Sequence, residues 1–179
     1  YATARTSLGP ILVAATVRGI CMVEFGAGTT LLEQLHARFP KASLVKADAA
    51  LDACVRRVVE QIDSPRVAAQ LPLDIRGTAF QRRVWHALTR LAPGQTVSYG
   101  ELARRLKAPS STRAVARACA TNGIAVLVPC HRVVAADGSL AGYKWGIERK
   151  RELLEREDAL DADRPARARA RAGRRTQLR

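Results

Sequence analysis

At 179 residues the chain can hold one domain or two small ones, and 47% hydrophobic residues suffice for an ordinary core. No apolar run approaches membrane-spanning length, and the four cysteines form no C-x-x-C pair or tight His/Cys spacing, which argues against a transmembrane segment and a zinc site. The net charge of +14 favours a polyanionic partner. Half of that charge lies in residues 164–179, which carry seven Arg and no acid. Residues 77–118 hold eight basic residues against the single acid Glu101, so the middle of the chain is a basic surface in its own right. A chain this large folds without disulfide staples, so reduced thiols are expected, in a cytoplasmic protein.

In chain order, Ile11–Ala14 and Ile20–Phe25 flank Arg18-Gly19 and predict a β-hairpin. Leu31, Leu32 and Leu35 predict a helix over 29–38, stopped by Pro40, and Leu51, Val55, Val58, Val59 and Ile62 predict another over 48–62. This is a small α/β unit with no evident chemistry. Pro72 to Gly77 reads as a connector. Thr78 and Gln81 form a capping box, followed by the helical face Phe80, Val84, Ala87, Leu88 and Leu91. A second capping box, Ser98 to Glu101, opens a short helix with Leu102, Ala103 and Leu106 inward. Lys107 to Ser111 is a turn, Thr112 to Thr121 the next helix, and Asn122-Gly123 its C-cap pair. Two short basic helices joined by a tight turn form a helix-turn-helix pattern, which many merely packed helix pairs share. The second helix is narrow, with Ala114, Ala116, Ala118 and Ala120. It offers few long base-reading side chains, which predicts close, weakly sequence-specific contact.

The chemistry concentrates after the apolar run 124–128, in Pro129-Cys130-His131-Arg132-Val133. A thiol becomes a strong nucleophile as a thiolate, and a neighbouring imidazole or cation commonly lowers its pKa. Neighbours on a regular strand point to opposite faces, so a direct Cys130–His131 bond would need a turn after Pro129. A bridging water is the preferred link. Asp137-Gly138 marks a turn, and a last helix carries the stripe Ile147, Leu153, Leu154 and Leu160. Glu157 falls on that stripe. A buried acid needs a partner, for which a histidine proton is suitable; the alternative is a helix-end glutamate reaching solvent. Cys21, Cys54 and Cys119 read as packing residues, and His36 and His86 as structural or exposed. Taken by itself, Cys130 could equally be a plain buried thiol. The segment beyond about residue 161 reads as a disordered Arg-rich tail adding phosphate attraction.

Over residues 1–160 these features resemble the O6-alkylguanine-DNA alkyltransferases (methylated-DNA–protein-cysteine methyltransferases), closest to the carboxy-terminal domain of the bacterial Ada branch. The resemblance rests on P-C-H-R-V with Asn122 upstream and Gly142-Tyr143 downstream, on residues 71–81, on Thr96 to Tyr99, and on Arg113 to Ala116. It implies an α/β chain with a small amino-terminal ribonuclease-H-like domain over 1–72. A mainly helical domain with the helix-turn-helix follows over 77–160. It implies single-turnover transfer of an alkyl group from O6-alkylguanine, and O4-alkylthymine, in duplex DNA to Cys130. The protein would act as a monomer without a cofactor or obligate protein partner. In that family His131 is the base, Glu157 orients it, Asn122 sits at the hinge, and Tyr99 donates to the leaving guanine. Arg113 enters the stack in place of the flipped nucleotide. Tyr143 walls the base pocket, with Ala114, Ala118, Arg132 and Val133 contacting DNA or substrate. Trp145 would narrow the pocket, favouring methyl over benzyl adducts. Flipping is a physical necessity, since a base inside a duplex cannot present its O6 substituent to a buried thiol. Two other readings remain. One is a non-catalytic lesion-binding protein, whose family relatives replace the cysteine. The other is a helix-turn-helix regulator.

Overall fold

The structure, a computed structural model, describes residues 1–26, 28–65 and 70–158. Three antiparallel strands come first in the order β1 (Ala2–Thr6), β2 (Gly9–Thr16) and β3 (Gly19–Phe25). The expected hairpin is the β2–β3 pair, with Val13 opposite Val23 and Thr16 opposite Gly19. Its runs are apolar at nearly every position because both faces of the sheet are covered. Ile11 and Val13 enter the main core, whereas Leu12 and Ala14 meet Leu31 and Leu35 of α1 (Thr29–Arg38). Strand β1 was not expected; its small and polar residues carry little hydrophobic signal. Helix α2 (Ala49–Asp63) begins where the Asp48 side chain accepts the Leu51 N–H, and it buries Val55, Val58 and Ile62.

The outer edge of β3 is covered by two distant segments. The Ile20 N–H donates to Pro72 O at 2.8 Å and the Asp74 N–H donates to Ile20 O at 2.8 Å. Further along, the Val23 N–H donates to Gly123 O and the Ala125 N–H to Val23 O, both at 2.9 Å. Unpaired edge groups are a liability that such covering removes. Here the cover also ties the amino-terminal sheet to the segment that leads to Cys130. Gly19 permits the approach: its φ is +135°, and a Cβ there would lie 2.3 Å from Pro72 O.

Helix α3 (Ala79–Leu88) starts with the complete Thr78–Gln81 capping box and buries Val84, Trp85 and Leu88. Helix α4 (Tyr99–Arg105) has half of its expected box. The Ser98 hydroxyl accepts the Glu101 N–H, but the Glu101 carboxylate pairs with Arg105 one turn on. Lys107, with φ +56°, turns the chain, and a 3-10 turn Pro109–Ser111 leads into α5 (Thr112–Ala120). Thr121, rather than Asn122-Gly123, caps α5, which frees the Asn122 side chain to fold inward. Two two-residue strands, β4 (Val97–Ser98) and β5 (Val133–Val134), pair in parallel. Helix α6 (Ile147–Asp158) closes the described chain, with Leu153 fully buried. Leu160 and the Arg-rich segment lie outside the described residues. One continuous core runs from Ile11 and Val23 through Trp85 and Val115 to Val133 and Leu153. No helix among the described residues is long and apolar enough to cross a membrane.

Candidate active site

The β4–β5 pair organises the site. Tyr99 directly follows β4 and the turn Cys130–Arg132 directly precedes β5, so the parallel pairing of Val97 with Val133 ties the two segments together, and Tyr99 and Cys130 line one cavity. Residues 124–128 are not a strand. Only Ile124 bridges to Val23, and Val126 has φ +64°, an outlier for a β-branched residue. Pro129 then opens a 3-10 turn over Cys130–Arg132. The strand geometry that would have separated Cys130 from His131 is therefore absent, and the turn lets both side chains point inward.

Cys130 is buried at the floor of a cavity of about 500 Å³ lined also by Tyr99, Ala116, Cys119, Ala120, and Ala141 to Lys144. Its sulfur accepts a hydrogen bond from Asn122 Nδ2 at 3.2 Å. The same amide group donates to Val128 O at 2.9 Å, and Asn122 Oδ1 accepts the Ile124 N–H at 2.9 Å. Asn122 thus braces the turn and touches the nucleophile, a contact that its expected role as a hinge did not include. Burial pushes the Cys130 thiol up to about 11, against the lowering effect of the Asn122 hydrogen bond and of the Lys150 and Lys144 charges. At neutral pH the resting group is a thiol, its pKa raised by burial where a neighbouring imidazole or cation commonly lowers that of such a group. Its reaction requires a base.

His131 and Glu157 are both buried, with Nε2 and Oε1 2.9 Å apart. Burial alone would raise the Glu157 carboxyl, but hydrogen bonds from His131 and Arg132 outweigh it and hold the group at about 2. An ionised carboxylate only accepts, so Nε2 carries the proton. Burial also lowers the His131 pKa, which keeps the ring neutral. Nδ1 is then the bare lone pair, and it has no hydrogen-bond partner among the described residues. No hydrogen bond joins it directly to Cys130. Tyr143, whose ring meets His131 edge-on at 6.4 Å, presents a second buried and unpartnered polar atom, its hydroxyl.

Four expected contact residues take other places. Arg132 is turned inward: its Nε lies 3.1 Å from both Glu157 oxygens and its Nη1 donates to Leu91 O, so it anchors Glu157 instead of DNA. Val133 is buried in β5 and the core. Ala118 faces inward, its carbonyl accepting the Trp85 indole N–H at 2.9 Å, while Ala116 and Ala120 line the cavity. Trp145 is buried behind Tyr143, ring centroids 5.1 Å apart, and does not line the cavity, so a pocket narrowed by the indole itself is not what the structure has. Arg113 and Ala114 are exposed on α5, and Tyr99 and Tyr143 line the cavity as expected. Burial raises the Tyr99 phenol to about 12, so it keeps its proton.

Two residues escaped the sequence reading. Cys119 lines the cavity beside Cys130, where a packing role alone was expected. Lys150 is fully buried, its Nζ donating to Val133 O at 2.6 Å and Ala141 O at 2.7 Å. A lysine on a buried helix face was the available signal. All four cysteines are free, and no cluster of three or more His, Cys, Asp or Glu suited to a metal ion occurs among the described residues.

The chain matches family models at both ends. Residues 1–75 match the ribonuclease-like domain of 6-O-methylguanine DNA methyltransferase, and residues 79–159 its DNA-binding domain. The inducible methylated-DNA–protein-cysteine methyltransferase of Bacillus subtilis is 36% identical over 155 residues, covering 84% of this chain and 86% of that protein. The bifunctional transcriptional activator/DNA repair enzyme Ada of Escherichia coli is 48% identical over 158 residues. That match covers 88% of this chain but 45% of Ada, so the chain spans less than half the length of that relative. The structure of Mycobacterium tuberculosis OGT in complex with DNA aligns with a TM-score of 0.73 at 34% identity, covering 88% of this chain and 92% of that one. A free thiol in a small cavity, next to a buried histidine–carboxylate pair on a strand-then-helix scaffold, has the form of a site for thiol chemistry. The chain belongs to the methylated-DNA–protein-cysteine methyltransferase family.

Proposed function

We propose that this protein repairs alkylated DNA by direct reversal, moving the alkyl group of O6-alkylguanine, and of O4-alkylthymine, onto Cys130. The observation that carries the reading is Cys130, hydrogen-bonded by Asn122, in the cavity that Tyr99 and Tyr143 line, with the buried His131–Glu157 pair beginning at the next residue. The flipped base occupies that cavity with its alkyl carbon toward Sγ. His131 Nδ1 takes the thiol proton through a bridging water as the Sγ–C bond forms. The C–O6 bond breaks, and its electron pair stays with guanine. Tyr99 supplies a hydrogen bond to the leaving guanine, a donor still protonated at neutral pH. In net terms the thiol proton replaces the alkyl group on guanine, and a thioether remains on Cys130. The cysteine is consumed, so each molecule acts once.

In this reading residues 1–72 form one domain and residues 77–160 a second, in which α4 and α5 act as a helix-turn-helix. Exposed Arg113 fills the gap left by the flipped nucleotide. The molecule works as a monomer in the cytoplasm, close to the nucleoid. The test is a duplex bearing one isotopically labelled O6-methylguanine. The label should move to protein up to one equivalent per chain, leaving guanine in the DNA. Tight binding with the label retained on the DNA would favour the lesion-recognition reading, against which the presence of Cys130 already weighs.

A further inference from the structure

Strand β3 runs Gly-Ile-Cys-Met-Val-Glu-Phe, and its one charged residue, Glu24, is buried. A carboxylate in that position is costly unless charged or polar partners meet it. Its two partners, about 120 residues away in the chain, are Lys144, which lines the cavity, and Trp145, which packs behind that lining. The Trp145 indole N–H donates to one oxygen and the Lys144 ammonium to the other. Lys144 Nζ also donates to Asn122 O at 3.2 Å, and it lies over the Trp145 ring at 5.1 Å. Trp145 in turn packs against Tyr143.

These contacts form a connected support for one wall. Residues 141–144 line the cavity together with Ala116 and Ala120 of α5. At its near end the wall is held by Lys150 through Ala141 O, and at its far end by Glu24 through Lys144 and Trp145. Glu24 does not line the cavity itself, so whatever it does to a bound base it does through Lys144 and Trp145.

We propose that Glu24 is a positioning residue of the base pocket, setting how far the Tyr143–Lys144 wall stands from Cys130 and hence the size of alkyl group accepted. This rests on the proposed reading of the cavity as the base pocket. The size restriction that a bulky Trp145 would have imposed by contact is imposed here indirectly, by an indole tethered from behind. Releasing the tether lets the wall retreat, which favours larger alkyl groups over methyl.

The experiment uses the full chain and the free bases O6-methylguanine and O6-benzylguanine, with alkylation read by intact mass over time. In Glu24→Gln one oxygen can still accept the indole N–H, but the amide cannot hold the ammonium. The benzyl-to-methyl rate ratio should rise about tenfold over the parent, the scale on which pockets discriminate small apolar groups. Of the two indole N–H signals in a 15N-labelled spectrum, one should shift and the other, from Trp85, should stay. Lys144→Met cuts the same tether from the wall side and should move the ratio in the same direction, which keeps the test available if Glu24→Gln does not fold. A purely structural role would lower both rates in proportion with the ratio unchanged, and that result overturns the proposal. So does a ratio that rises with neither indole signal moved. Failure of the parent protein to alkylate with either base would instead strike at the pocket reading itself.

Discussion

His131 Nε2 lies 2.9 Å from Glu157 Oε1, with both side chains buried, and this pair decides which ring nitrogen can act as a base. Because Glu157 is held ionised, the ring proton stays on Nε2 and Nδ1 keeps a bare lone pair, the atom proposed as the base for the thiol. Arg132 completes the arrangement by gripping the same carboxylate.

Glu157→Gln removes the charge that fixes this tautomer. Transfer to Cys130 should slow by about 10² or more, within the range that general-base catalysis contributes. The same change leaves the buried Arg132 without its anion, so unfolding stability should fall by about 3–5 kcal/mol. Single-turnover rates and urea titrations below the unfolding transition separate the two effects. A full rate in folded Glu157→Gln would remove the orienting role.

The pH dependence has a definite sign. Glu157 has a depressed folded value of about 2 against an ordinary 4.5, so its stabilisation is complete above 4.5 and is lost as pH falls from there toward 2. His131, also lowered from its ordinary 6.5, adds loss in the same direction, beginning as pH drops through 6.5. Urea midpoints should therefore decline from neutrality downward. The rate of transfer should hold through neutral pH and fall only below 6.5, because burial makes the folded imidazole take up its proton below its ordinary value. An acid limb centred above that value would contradict a buried neutral base.

Arg113 is exposed on the first turn of α5 and makes no contribution to the core. Arg113→Ala should lower the repair rate in duplex DNA by roughly 10–100-fold, the scale of a few kcal/mol for extruding a paired base. Reaction with free O6-methylguanine should change far less. Equal losses in the two assays would end the flipping role.

Tyr99→Phe removes a donor without removing the ring that lines the cavity. Transfer should slow by about 10², the usual cost of deleting one donor to a developing anion. Affinity for a methylated duplex, measured with Cys130→Ser to prevent reaction, should be unchanged. An unaltered rate would mean the leaving guanine is stabilised elsewhere.

Much of this was legible in the residues. Helical spacing exposed Glu157 as an acid on a buried stripe, and the proposed histidine partner is the one found. The Thr78–Gln81 box and the β2–β3 hairpin carry strong local signals, and both are present. What escaped depends on distant contacts. Two-residue strands leave no periodicity, so the β4–β5 pair that joins Tyr99 to the Cys130 turn could not be read from spacing. Arg132 was expected to contact DNA or substrate, and nothing local says that its partners lie at Leu91 and Glu157. Nor does any property of residues 124–128 announce a left-handed Val126. Glu24 was unremarkable within its strand, since Lys144 and Trp145 reach it from the far end of the chain.

Everything proposed for this site depends on Cys130 being the alkyl acceptor. Intact mass followed by peptide mapping, after incubation with a duplex containing one O6-methylguanine, tests this. A single methyl group should appear on the peptide carrying Cys130 and be absent in Cys130→Ser. A methyl group on Cys119, or no gain in mass despite tight binding of the duplex, would contradict it.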